Sequence, residues 1–101
     1  MANLYSEVID SQKAVLNILL LEKQAGNAIL IRDLLDDISY PECLFEHSDS
    51  LQSAAQLLQN KSVDVILMDI AIIRSDTSQL LTKLQQQFNH VPILFLADLE
   101  D

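Results

Sequence analysis

Three short aliphatic runs limit what this chain can fold into. AVLNILLL covers Ala14 to Leu21, VDVILM covers Val63 to Met68, and VPILFL covers Val91 to Leu96. Each is short, mostly apolar and partly β-branched, as expected of a strand buried on both faces of a sheet. Such strands need helices above and below, and the intervening stretches supply them. Apolar residues at 28, 31, 35 and 38, with 30 and 34, predict a helix from Ala28 to Ile38 with one buried side. Tyr40 and Pro41 end it, because the residue before proline avoids the α region. Cys43 to His47 alternates and reads as an edge strand. Asp49 and Gln52 have capping-box spacing ahead of a stripe of Leu51, Ala54, Ala55 and Leu58. IAIIRS, after Asp69, reads as a loop. Asp76 and Gln79 repeat the capping spacing before Leu80, Leu81, Leu84 and Phe88.

The resulting order, β-α-β-α-β-α-β, predicts right-handed crossovers and a parallel α/β sheet with helices on both faces. Residues 1–13 read as a short amphipathic helix or a linker, on Leu4, Val8 and Ile9, and residues 14–101 as one domain. One glycine and two prolines in 101 residues argue against a turn-rich all-β fold. Fifteen acidic against six basic residues give a net charge of −9, which repels nucleic acid and anionic membrane. No apolar run approaches the length of a membrane span, and no cationic start precedes a hydrophobic stretch. The single cysteine, Cys43, excludes an internal disulfide and suits a reducing, cytoplasmic setting.

Ligands of open parallel sheets sit beyond the carboxyl ends of the strands. Glu22, Asp69 and Asp98 lie at such ends. Glu22 and Asp69 belong to strands expected to be neighbours, so their carboxylates converge. Converging carboxylates repel, and the pocket they make wants a proton or a hard cation such as Mg²⁺. The plainer alternative is that acidic residues simply end strands in solvent. His47 and His90 have no metal-spaced partner and read as surface residues, and Cys43 reads as a small residue of the second strand. Gly26 alone makes no phosphate-cradling loop.

The segments ILLLEKQAGNAILIRDLL, VDVILMDIAI and VPILFLADLED, with their spacing, resemble the receiver domain of bacterial two-component response regulators, from about Asn17 to Asp101. They are especially similar to receivers attached to sensor kinases or cyclic-dinucleotide enzymes. The resemblance implies a flavodoxin-like sheet of strand order 2-1-3-4, lacking the last helix-strand-helix. It puts Asp69 at the phosphoacceptor position and Glu22 at the first of two acidic positions. Lys23 stands where the second acid binds Mg²⁺, and Ala97 where a Thr or Ser hydroxyl is expected. Ile72 and Ile73 replace the usual Met-Pro or Leu-Pro, Thr77 replaces a Gly, and the strand-five lysine has no counterpart.

Phosphoryl transfer to an aspartate needs charge neutralisation on three oxygens. Losing one such group costs roughly a hundredfold in rate, so three changes predict a pseudo-receiver with Mg²⁺ bound weakly or not at all by Glu22 and Asp69. Lys23 is expected either to pair with Asp69 or Glu22 in place of the metal, or to snorkel into water. The chain is expected to be no enzyme and to work through contacts with a histidine kinase or attached signalling domains. The alternatives are an active receiver phosphorylated on Asp69 and a structural dimerisation domain. Strand four, left as an open apolar edge, invites a homodimer, unless Leu4 to Ile9 fold back over it or the chain is a piece of a longer protein.

Overall fold

The computed structural model describes residues 15–37, 42–74 and 79–97. The expectations for residues 1–13, for Ile38 to Pro41, for Asp76 and Thr77, and for Asp98 lie outside these. Four strands, β1 (Val15–Leu21), β2 (Glu42–Ser48), β3 (Val65–Asp69) and β4 (Ile93–Leu96), form one parallel sheet in the order β2-β1-β3-β4. Among the described residues four helices join them: α1 (Ala25–Asp36), α2 (Leu51–Asn60), α3 (Ile70–Arg74) and α4 (Leu80–Gln87). The α/β class and the helices on both faces are as the sequence predicts, and the strand order is the one the resemblance implies.

The central strand explains the layering. Ile18, Leu19, Leu20 and Leu21 are all buried, and alternate side chains point to opposite faces. Leu19 and Leu21 join Ile66 and Met68 against Leu51, Ala54 and Leu58 of α2 and Leu84 of α4. Ile18 and Leu20 join Leu67 against Ala28 and Ile31 of α1. One face therefore carries a larger cluster under two helices, the other a smaller cluster under one. On that second face and at the β4 edge, Leu30, Leu34, Leu94 and Phe95 remain exposed. Cys43, on β2, is half-buried against the smaller cluster.

Polar bonds fix both ends of β1. At its start the Asn17 N–H donates to Asp64 Oδ2 at 2.8 Å, and the Asp64 N–H donates to the Asn17 carbonyl at 2.8 Å. At its end the Glu22 N–H donates to the Ser48 carbonyl at 3.0 Å.

Several boundaries differ from the sequence reading. α1 starts at Ala25, three residues early, because Ala25, Gly26 and Asn27 form a solvent-facing first turn that apolar spacing does not mark. The cap of α2 is Ser50, not Asp49: its Oγ accepts from the Ser53 N–H at 3.1 Å, which leaves Leu51 inside the first turn and buried. The segment read as the loop IAIIRS holds α3. Its Ile72 is 2 % exposed and belongs to the larger cluster. α4 is preceded by Gln79 in the left-handed region at φ 61°, and its side chain makes no cap bond. β4 begins after Pro92, which has no N–H to donate but whose carbonyl accepts from the Ile66 N–H at 3.0 Å.

Candidate functional site

The sheet register brings Glu22 and Asp69 together. Leu21 is the last residue of β1 paired with β3, opposite Met68, so the next residues on the two chains leave the sheet side by side. Both follow by two residues a leucine packed under α1, Leu20 and Leu67, and side-chain alternation puts their carboxyls on that same face. Both are buried, Glu22 at 1 % exposed and Asp69 at 3 %.

Local bonds hold each carboxyl. Asp69 Oδ1 accepts from the Ala71 N–H at 2.9 Å, so this aspartate ends β3 and also satisfies a donor of the first turn of α3. That bond is why a helical turn forms where apolar residues alone suggested a loop. Glu22 Oε1 accepts from the Gln24 N–H at 3.2 Å and from Asn27 Nδ2 at 3.5 Å. Glu22 Oε2 is buried without a hydrogen-bond partner. Burial pushes the Glu22 carboxyl above its ordinary value of 4.5. The neighbouring Asp69 carboxyl pushes the same way, against the Gln24 N–H and the Asn27 amide. A buried carboxyl oxygen in that position suits a proton.

A buried carboxylate oxygen without a partner also suits a hard cation. Mg²⁺ keeps most of its waters and takes one or two carboxylates, so the donor set fits one weakly held ion, with Glu22 and Asp69 as the residues that would hold it. Among the described residues, no group of three or more His, Cys, Asp or Glu gathers at one point.

The substituted positions fall at the rim. Lys23 follows Glu22 directly but is exposed. Among the described residues no ion pair joins it to Glu22 or Asp69, and its exposure accords with the second of the two expectations, an ammonium kept in water. The physical reason is solvation: a flexible stem keeps the ammonium in water rather than in a buried site. Ala97 comes one residue after Leu96, the β4 partner of Asp69, so it leaves the sheet beside the pocket with a methyl group and no hydroxyl.

The residue that sequence reasoning missed is His47. Its Nε2 lies 2.7 Å from the Glu22 carbonyl oxygen. No motif announces this contact, because it depends on β1–β2 register and not on residue spacing. His90 is exposed, as expected.

Residues 18–101 match the family described as response regulator receiver domain. No curated protein sequence matches the chain. Among solved structures, the MaeR response regulator bound to beryllium trifluoride is similar at 22% identity and a TM-score of 0.68, over 85% of this chain and 70% of that one. A point mutant of MaeR bound to sulfate is similar at 21% identity and a TM-score of 0.70, over 86% and 70%. A third structure, carrying a fused yeast Spc42 coiled-coil segment, gives 22% and 0.64, over 84% and 55%. At these identities the solved structures speak for the fold alone.

Proposed function

The chain belongs to the response regulator receiver domain family, and from that premise we propose that it is a degenerate receiver that signals through protein contacts rather than by phosphorylation. Receiver domains in general are non-enzymatic signalling modules that bind Mg²⁺ at their phosphorylation site and interact with histidine kinases and other domains. The observation that carries the proposal is the make-up of the pocket. It contains two carboxyls, Glu22 and Asp69, with an exposed Lys23 beside them and the methyl of Ala97 at the rim.

Charge developing on a phosphoryl group at Asp69 would meet one fewer acid to hold a metal and no hydroxyl to bond an equatorial oxygen. A Mg²⁺ ion held by Glu22 and Asp69 supplies charge neutralisation when bound. Asp69 itself is held by the Ala71 N–H and crowded by Glu22. Partners of the proposed module are a histidine kinase or an attached signalling domain, in a cytoplasmic setting. No described helix is long and apolar enough to cross a membrane.

The test is incubation with Mg²⁺ and acetyl phosphate followed by intact mass measurement. An unchanged mass is expected, and gain of one phosphoryl group on Asp69 overturns the proposal. Two second readings have their own support. The buried, unpartnered Glu22 Oε2 favours a working phosphoacceptor, in which a cation fills that place. The exposed Leu94 and Phe95 on β4 favour a dimerisation module. Light scattering separates the latter, since a monomer at high concentration counts against it.

A further inference from the structure

We propose that His47 is a positioning residue of the acidic pocket: its imidazole holds the Glu22–Lys23 peptide and thereby keeps the Glu22 carboxyl against Asp69. The proposal rests on the reading of Glu22 and Asp69 as the functional pocket.

The β1–β2 register ends with Leu21 opposite Ser48, and the Glu22 N–H still reaches the Ser48 carbonyl. The Glu22 carbonyl comes after that last pair. The ring of His47, opposite Leu20, supplies a bond to it at 2.7 Å and so extends the connection by one more rung. A carbonyl only accepts, so Nε2 carries the proton and donates. Three of the four polar atoms of Glu22 are then tied: N–H to Ser48, C=O to His47, and Oε1 to Gln24 and Asn27.

Such tying is needed because the natural tendency of this residue is to leave. A carboxyl at 1 % exposure beside a second carboxyl gains by moving into water. The turn between β1 and α1 is short and solvent-facing from Lys23 to Gly26, so among the described residues nothing packed over it prevents that movement. The bond from His47 crosses to a different strand and makes the turn part of the sheet.

The experiment uses the full chain labelled with ¹⁵N, with His47→Ala and His47→Gln. Glutamine places an N–H donor near the position of Nε2. The reporters are the amides of Gln24 and Ala71, which bond to the two carboxyls. In His47→Ala both amide signals shift, and exchange of the Gln24 amide quickens roughly five- to tenfold, the worth of one hydrogen bond. The Ser53 amide, capped by Ser50 on α2, stays unchanged. His47→Gln restores both pocket amides.

Unmoved Gln24 and Ala71 amides in the alanine variant overturn the proposal, as does equal loss in both variants. Should the alanine variant not fold, the wild-type ring decides. Long-range ¹⁵N spectra are expected to show the proton on Nε2, and a ring protonated mainly on Nδ1 overturns the proposal. Phosphorylation of Asp69 would refute the function proposed above without altering any of these readings.

Discussion

The two faces of the sheet are built from the same strand and differ in what covers them. Leu19 and Leu20 are neighbours on β1, and both are buried. Leu19 enters a cluster of ten buried residues closed by α2, α4 and Ile72. Among the described residues Leu20 enters a cluster of five, closed there by α1, with exposed Leu30 and Leu34 on that helix. The face with the thinner cover is the one that carries Glu22 and Asp69. Burial of single residues is thus equal on the two faces, while the depth of packing around them is not, and the acidic pocket lies where the surroundings can yield.

The largest expected effect is that of Leu19→Ala, about 4 kcal/mol of stability lost, because its surroundings are packed on every side and relax little. Leu20→Ala should cost about 2–3 kcal/mol, at the low end for a buried leucine, because α1 can settle onto the gap. Urea unfolding of both variants checks the contrast, and equal losses would break it.

Glu22→Gln tests the pocket. The folded carboxyl titrates above its ordinary value, so its contribution to stability is fully present below pH 4.5 and is lost as pH rises through the raised value. The wild-type chain therefore loses stability over that interval, and Glu22→Gln, which cannot ionise, should flatten the slope there. Denaturant midpoints measured at several pH values check this, and an unaltered slope would exclude Glu22 as its source. The smallest effect belongs to the β4 edge. Leu94→Ser should change stability by no more than about 0.5 kcal/mol in dilute solution, since its side chain is already 56 % exposed. A loss that grows with protein concentration would instead mark the edge as an interface.

Much of this arrangement was legible in the sequence, for reasons visible in particular residues. Leu19 to Leu21 and Ile66 to Met68 are apolar on consecutive positions, which only a strand covered on both sides requires. Alternation of such runs with amphipathic stretches leaves few ways to connect them. Glu22 and Asp69 stood out because they end those runs. What stayed hidden depends on single hydrogen bonds. Whether Ser50 or Asp49 caps α2 is a difference of one residue between two good capping side chains. The helical turn of α3 follows from the bond between the Asp69 carboxylate and the Ala71 N–H, and the likeness of His47 to any other surface histidine hides its bond to the Glu22 carbonyl. The exposure of Lys23 follows from solvation, which spacing does not encode.

The bonds at the start of β1 have a consequence for how the sheet finds its alignment. A strand that is greasy on both sides does not object to sliding by one place along its neighbours, because leucine replaces leucine in either direction. Oil alone therefore cannot tell the chain where to stop. The clasp of the Asn17 N–H by the Asp64 carboxylate sets an end stop that only one alignment satisfies. The polar residue at the margin does for this sheet what a numbered scale does for a sliding rule: it decides which carboxyls arrive next to one another.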